Sequence, residues 1–344
     1  MSLNKRKVFR SPIFWIGLAC LLVPTLWPVA DSAFALIFDR NISSSANILP
    51  SKIMGGSGGF GGGKTFYVNA LASRAQNFPS DSTFATIQLA LNACVTDRGD
   101  VVLVAPASYA ITVPLTMTKD NVKLMALDQP AAGSQNVYIT TTDAASSATD
   151  LIQIDANDIV VSGLKFTPGN DCVNAIDIAD TSVSDNILIY NCRFAMTGSA
   201  ASSIGVRIGD ATAAATRGSH TVVRGCQFEG CKGYAAQINA PFARISECYA
   251  NLAAATTGFA TGDPGADVEM YGYFEIDHNI VTGNTNASNE PFFTALGVES
   301  HTGIGVIHDN LIHGAKGTDD IHPEMWINNY LGNEAGGALY DPKT

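Results

Sequence analysis

One pattern of apolar and polar positions occurs seven times between residues 159 and 332. The copies are Ile159-Val-Val-Ser-Gly-Leu-Lys-Phe166, Ile187-Leu-Ile-Tyr-Asn-Cys-Arg-Phe194, Thr221-Val-Val-Arg-Gly-Cys-Gln-Phe228, Ala243-Arg-Ile-Ser-Glu-Cys-Tyr-Ala250, Phe274-Glu-Ile-Asp-His-Asn-Ile-Val281, Gly305-Val-Ile-His-Asp-Asn-Leu-Ile312 and Met325-Trp-Ile-Asn-Asn-Tyr-Leu-Gly332. Alternation at period two marks a strand with one face inward. A turn-forming Gly, Asn, Asp, Glu or His follows it, and then a column of Cys192, Cys226, Cys248, Asn279 and Asn310. The pattern predicts a β-strand ending in a bend, repeated.

The inward strand residues Leu124, Val161, Ile189, Val223, Ile245, Ile276, Ile307 and Ile327 count eight coils at a mean interval of about 29 residues. Periods of 20 to 50 residues signal a solenoid. Each coil has a partner strand ahead of the phrase: Leu151-Ile-Gln-Ile154, Ala175-Ile-Asp-Ile178, Ile204-Gly-Val-Arg-Ile208, Ala236-Gln-Ile238, Val268-Glu-Met270 and Ala295-Leu-Gly-Val298. Eight rungs at the interstrand spacing give a rod of roughly 40 Å. Long intervals place extra loops at residues 128–150, 209–220, 251–265 and 281–292, where a rigid solenoid usually develops binding surfaces.

Upstream, Ser82 is positioned to cap a helix within 82–95, with Phe84, Ile87, Leu91 and Cys94 on one face. The strand Val101-Val-Leu-Val104 follows. A coil stack leaves unpaired strand edges and apolar core at its end, and one amphipathic helix is a sufficient lid. Four segments result: 1–35, apolar; 36–63, a Ser/Gly-rich linker; 64–332, the coils with their capping helix; and 333–344, a tail.

Residues 1–35 combine a basic start, an apolar run from Ile13 to Ala30 and the small-residue ending Ala33-Phe-Ala35, the layout of a secretory signal peptide. A retained peg that docks on a partner protein fits equally, whereas Pro24 and Pro28 make a poor spanning helix. The linker contains a formal phosphate-loop match, Gly58-Gly-Phe-Gly-Gly-Gly63-Lys64-Thr65. That mechanism needs a strand before the loop and a helix after it. Here a strand, Phe66-Tyr-Val68, is expected to follow, so the match reads as a coincidence within a glycine tract.

Phe66-Tyr-Val68, Phe84-Ala-Thr-Ile-Gln-Leu-Ala-Leu-Asn-Ala-Cys94 and Gly99-Asp-Val-Val-Leu-Val-Ala-Pro106 through Tyr109 together resemble the opening segment of pectin-lyase-like right-handed parallel β-helix proteins. The phrase Gly63-Lys-Thr-Phe-Tyr-Val68 is similar to that of β-helix proteins encoded among the structural genes of tailed bacteriophages. The match runs by phrase over about residues 63–130 and by repeat pattern beyond. Pro106-Ala107 stands where Pro-Gly is usual. The resemblance implies an all-β fold, a right-handed single-stranded parallel β-helix of about eight coils with an N-terminal capping α-helix. It also implies a non-enzymatic virion protein (capsid decoration, spike or fibre) tethered by its N-terminal segment. Its partners would be other virion structural proteins, copies of itself (a trimer by analogy) and possible host glycans, with no cofactor. The alternative is an exported polysaccharide lyase or glycoside hydrolase, secreted or periplasmic.

Composition narrows the partners. Four of the 20 basic residues, Lys5, Arg6, Lys7 and Arg10, precede the first acid, leaving 16 basic against 31 acidic side chains. Such a surface repels nucleic acid and anionic membrane. The chain has seven cysteines, and three of them share one repeat position. They read as stacked buried thiols rather than a disulfide framework, as in a protein assembled in a reducing compartment.

The resemblance also says where chemistry would sit, because pectin-lyase-like enzymes place carboxylates on an outward strand face, as acid and base or as Ca²⁺ ligands. One outward column reads Ser162, Tyr190, Arg224, Ser246, Asp277, His308 and Asn328, and the column before it includes Arg244, Glu275 and Trp326. Asp277 and His308, beside Arg244 and Glu275, form one candidate catalytic cluster; a solvated face or a subunit contact has the same signature. The last coils add Glu299, His301, Asp309, His313, Asp319, Asp320, His322 and Glu324. Gly317-Thr-Asp-Asp320 is similar to the paired Asp of polygalacturonases but lacks that family's flanking phrases. Asp319, Asp320 and His322 are therefore a second catalytic or metal-binding candidate. No resident metal is expected.

Overall fold

Three columns of parallel strands, each built by stacking one strand per coil, carry the fold. The computed structural model describes residues 63–70, 80–128, 136–141, 150–169, 172–178, 184–196, 203–209, 218–231, 233–251, 257–261, 273–282, 294–295, 305–313, 326–327 and 330–332. The chain divides into compact units 1–53 and 54–344, and every described residue belongs to the second. That unit is a right-handed parallel β-helix. Its first sheet has 11 strands, its second nine and its third seven. The coil containing Leu188–Tyr190 is representative: Arg193–Ala195 follows in the second sheet and Ile204–Ile208 in the third.

The repeated phrase is thus two strands around a bend, not one. The bend residues Gly163, Asn191, Gly225, Glu247, His278 and Asp309 all have left-handed φ, from 50° to 72°. That conformation costs nothing at glycine and about 1–2 kcal/mol at an ordinary L-residue. The residue after the bend points inward and satisfies a carbonyl of the preceding coil. Cys192 Sγ donates to Val161 O, Cys226 Sγ to Ile189 O and Cys248 Sγ to Val223 O, at 3.6–3.7 Å. Asn279 Nδ2 and Asn310 Nδ2 do the same to Ile245 O and Ile276 O at 3.0 Å. The amides also accept, from Cys248 N–H at 2.8 Å and from Asn279 N–H at 2.9 Å. All six cysteines among the described residues are buried free thiols, and burial first of all pushes the Cys226 thiol well above its ordinary value.

In the second sheet Phe166, Phe194 and Phe228 stack at centroid spacings of 4.9 and 4.7 Å, and Phe259 closes the stack edge-on at 5.9 Å. A Cβ on Gly205 would lie 2.6 Å from Phe228 Cδ1 and 2.4 Å from Ala235 O, so glycine is required there for close approach.

The amino-terminal lid differs from expectation in its start. Thr83–Phe84 is a strand paired with Tyr67 and Val68, and the helix α1 spans Ile87–Ala93. Its cap is Thr86, whose side chain accepts from Leu89 N–H at 3.3 Å, while Ser82 gives its carbonyl to Tyr67 N–H. The β-branched Thr83 and aromatic Phe84 suit the sheet edge. Ile87, Ala90, Leu91 and Cys94 are buried on the core as expected. Lys64 donates its N–H to buried Asp100 and Thr65 opens a strand, so no helix follows the glycine tract and no phosphate loop forms.

Three further expectations shift. Val137–Thr141 and Thr257–Thr261 are strands inside the expected loops 128–150 and 251–265. Thr257–Thr261, not Val268-Glu-Met270, supplies the third-sheet rung beside Tyr234–Ile238; residues 268–270 lie outside the described residues. In the last coil Trp326 pairs with Ile307 and Ile327 with His308, one position off the expected register. Among the described residues no helix is long and apolar enough to cross a membrane; the run Ile13–Ala30 lies outside them, as do residues 333–344.

Phe194→Ala empties the middle of the ring stack, and equilibrium urea unfolding should register a loss of about 3–5 kcal/mol. A loss below about 1 kcal/mol would show that the stack does not bear on stability.

Candidate functional site

The outward column of the first sheet has the expected register through Ser162, Tyr190, Arg224, Ser246, Asp277 and His308. Its exposure is uneven, and this decides its chemistry. Tyr190 and Arg224 are exposed, whereas Ser162, Ser246 and Asp277 are buried. Asp277 is 1% exposed because Arg244, one coil back, lies over it.

Arg244 grips Asp277 with both prongs, Nε to Oδ1 at 2.8 Å and a terminal nitrogen to Oδ2 at 2.7 Å. It also approaches Glu275 at 3.4 Å. His278 Nδ1 lies 2.7 Å from Asp277 Oδ2. Burial alone would push the Asp277 carboxyl up, but the guanidinium of Arg244 and the ring of His278 hold it below its ordinary value. Asp277 is therefore a fixed carboxylate and a poor proton donor.

His308 does not pair with Asp277, although the two are adjacent in register. Its Nε2 meets Glu275 Oε1 at 3.0 Å and its Nδ1 meets Asp309 Oδ2 at 2.7 Å. Burial would lower the His308 pKa, and the two carboxylates more than offset this, raising it above 6.5. Consecutive coils thus present Asp277-His278 and His308-Asp309 at the same bend, with Glu275 on the same outward face as Asp277. His278 is the member missed by column alignment of strands, because it sits on the bend. The adjacent triplets Asp277-His278-Asn279 and His308-Asp309-Asn310 carried the signal. Asp319, Asp320 and His322 lie outside the described residues.

Similar pairs span neighbouring coils elsewhere: Arg193 with Glu229, Arg207 with Asp177 and Arg224 with Glu247, at 2.7–2.8 Å. Exposed pairs such as Arg224–Glu247 contribute little stability; they fix which outward residues meet.

Asp277 contributes stability at pH above its ordinary 3.8, and that contribution is lost as pH falls through the lowered folded-state value. His308 has the opposite sign: its contribution is present below 6.5 and fades as pH rises through the raised value. Arg244→Gln leaves the buried carboxylate with His278 alone. Urea unfolding at pH 7 should show a loss of about 2–4 kcal/mol, below the full figure for a buried pair because Arg244 is half-exposed. The gap from wild type should narrow at pH 3; a cost under about 0.5 kcal/mol at pH 7 would place the pair with ordinary surface contacts.

No protein-family model matches the sequence, and no curated protein sequence matches it. Among solved structures the chain is similar to a pectate lyase at TM-score 0.53 and 12% identity, covering 81% of this chain and 72% of that one. A rhamnogalacturonan lyase aligns at TM-score 0.49 and 16% identity, over 74% of this chain and 75% of that one. A pectin methylesterase from Aspergillus niger aligns at TM-score 0.49 and 13% identity, over 81% and 92%. The likeness to the pectate lyase establishes the parallel β-helix architecture and, at this identity, nothing of the reaction.

Proposed function

We propose that this protein is a non-enzymatic structural component of a tailed-phage virion, a rigid β-helix displayed on capsid or tail and tethered through residues 1–63. The observation that carries the non-enzymatic part is the commitment of the strand carboxylates. Asp177, Glu229, Glu247, Glu275 and Asp277 each face an arginine of a neighbouring coil. General acid–base work needs a carboxyl whose proton is exchangeable near the working pH, and the lowered pKa of Asp277 runs the other way. The virion assignment rests on the resemblance of Gly63-Lys-Thr-Phe-Tyr-Val68 and its following helix and strand. On this reading the partners are other virion proteins, further copies of the chain in a trimer, and surface glycans of a host.

The fold of the pectate lyase and the His-carboxylate cluster at Glu275, Asp277 and His308 favour a second reading, an exported enzyme acting on a polysaccharide. Mass spectrometry of purified particles, beside reducing-sugar and unsaturated-uronate assays on a polysaccharide panel, separates the two. The first reading expects the chain in particles and no turnover. Turnover abolished by Asp277→Ala or Asp320→Ala, with the chain missing from particles, replaces it with the second.

A further inference from the structure

The bend at Asp277-His278 and His308-Asp309 holds more ligand chemistry than an ion-pair staple needs. One ligand atom each from His278, His308 and Asp309 lies within 4.8 Å of the others, as do atoms from Glu275, Asp277 and His308. Tetrahedral ligands at 2.0–2.1 Å from zinc lie roughly 3.3 Å apart, so a small inward movement of exposed side chains suffices.

We infer that His278, His308 and Asp309 form a binding site for one divalent transition metal of the zinc type, clasping two consecutive coils at their bend.

Orientation is the first argument. A metal-bound imidazole is usually held by a carboxylate on its other nitrogen, which fixes tautomer and ring plane. Both histidines have that support: Asp277 Oδ2 lies 2.7 Å from His278 Nδ1, and Glu275 Oε1 lies 3.0 Å from His308 Nε2. His278 Nε2 and His308 Nδ1 are the ring atoms that remain for a metal, and Asp309 already lies against the latter. Arg244 in turn holds Asp277, so the support of His278 is itself anchored. The two rings are edge-to-face, with centroids 5.8 Å apart, so they do not stack flat and close the space between them.

Charge is the second. Glu275, Asp277 and Asp309 set three carboxylates against the single guanidinium of Arg244. Two neutral imidazoles leave a formal excess of two negative charges, which a dication balances. Imidazole donors favour zinc, copper or nickel over calcium or magnesium, whose ligands are oxygens. The site needs only the coils, so it is independent of where the rod is displayed.

The backbone supplies a clean variant. His278 has φ 54° and Asp309 φ 53°, so His278→Gly removes a ligand while suiting the left-handed bend, and Asp309→Asn keeps a residue that tolerates it. The full chain, stripped with EDTA and dialysed against Zn²⁺, is measured by elemental analysis and titration calorimetry. Wild type should retain one equivalent that H278G and H308Q lose, with affinity at least tenfold weaker in D309N. Ca²⁺ should not compete. Thermal unfolding in EDTA checks folding, and H278G should melt no lower than wild type there. The inference is overturned if wild type retains no more zinc than H278G, if all variants bind alike, or if Ca²⁺ displaces zinc at equal concentration.

Discussion

The bend after each first-sheet strand is the constraint on which the rest depends. Parallel stacking sets every residue about 4.8 Å from its counterpart in the next coil. Whatever the bend demands is therefore demanded again in each coil. It demands a left-handed residue, which turns a strand carbonyl toward the core, and then an inward side chain able to donate to that carbonyl. A thiol supplies the donor in the earlier coils and a carboxamide in the later ones. The amide also accepts a backbone N–H from the coil before it, so the change from Cys to Asn adds a hydrogen bond where the packing is less aromatic. The stacked phenylalanines end at Phe228, one coil before the column reaches Cys248 and two before Asn279.

The same repetition organises the outer face. A residue and its neighbours one coil above and below form a column, and long side chains reach diagonally to the next column. Arg244 reaches Asp277 and Glu275 in this way, and Arg193 reaches Glu229. These contacts bury a carboxylate on a face that alternation alone marks as solvated.

Much of the first sheet was legible because its alternation is strict and its bend residues are chemically distinctive. The second sheet was hidden in plain sequence: a two-residue bend such as Asn191-Cys192 does not interrupt the apolar count, so two strands read as one. Thr257–Thr261 lacks an apolar face that stands out, and only pairing with Tyr234–Ile238 makes it a strand. The last coil slipped by one because Met325, Trp326 and Ile327 are all apolar, and without alternation nothing in the sequence sets the register. At the lid, a Ser and a Thr four residues apart both suited a cap. Pairing of Thr83–Phe84 with the first strand decided for Thr86.

At the candidate site the residue types were legible and their partners were not. Register places His308 beside Asp277, yet His308 turns to Glu275 and Asp309 while Asp277 is taken by Arg244 and His278. Side-chain length explains the exchange. Arginine spans one coil diagonally and, with two donors in a plane, matches a carboxylate better than an imidazole does. Once it has done so, each histidine is left to the carboxylate its own backbone brings near, and the two rings are turned toward one shared space. The outward face at this bend is thus organised first by a guanidinium that locks one acid, and then by the two imidazoles that this lock sets free.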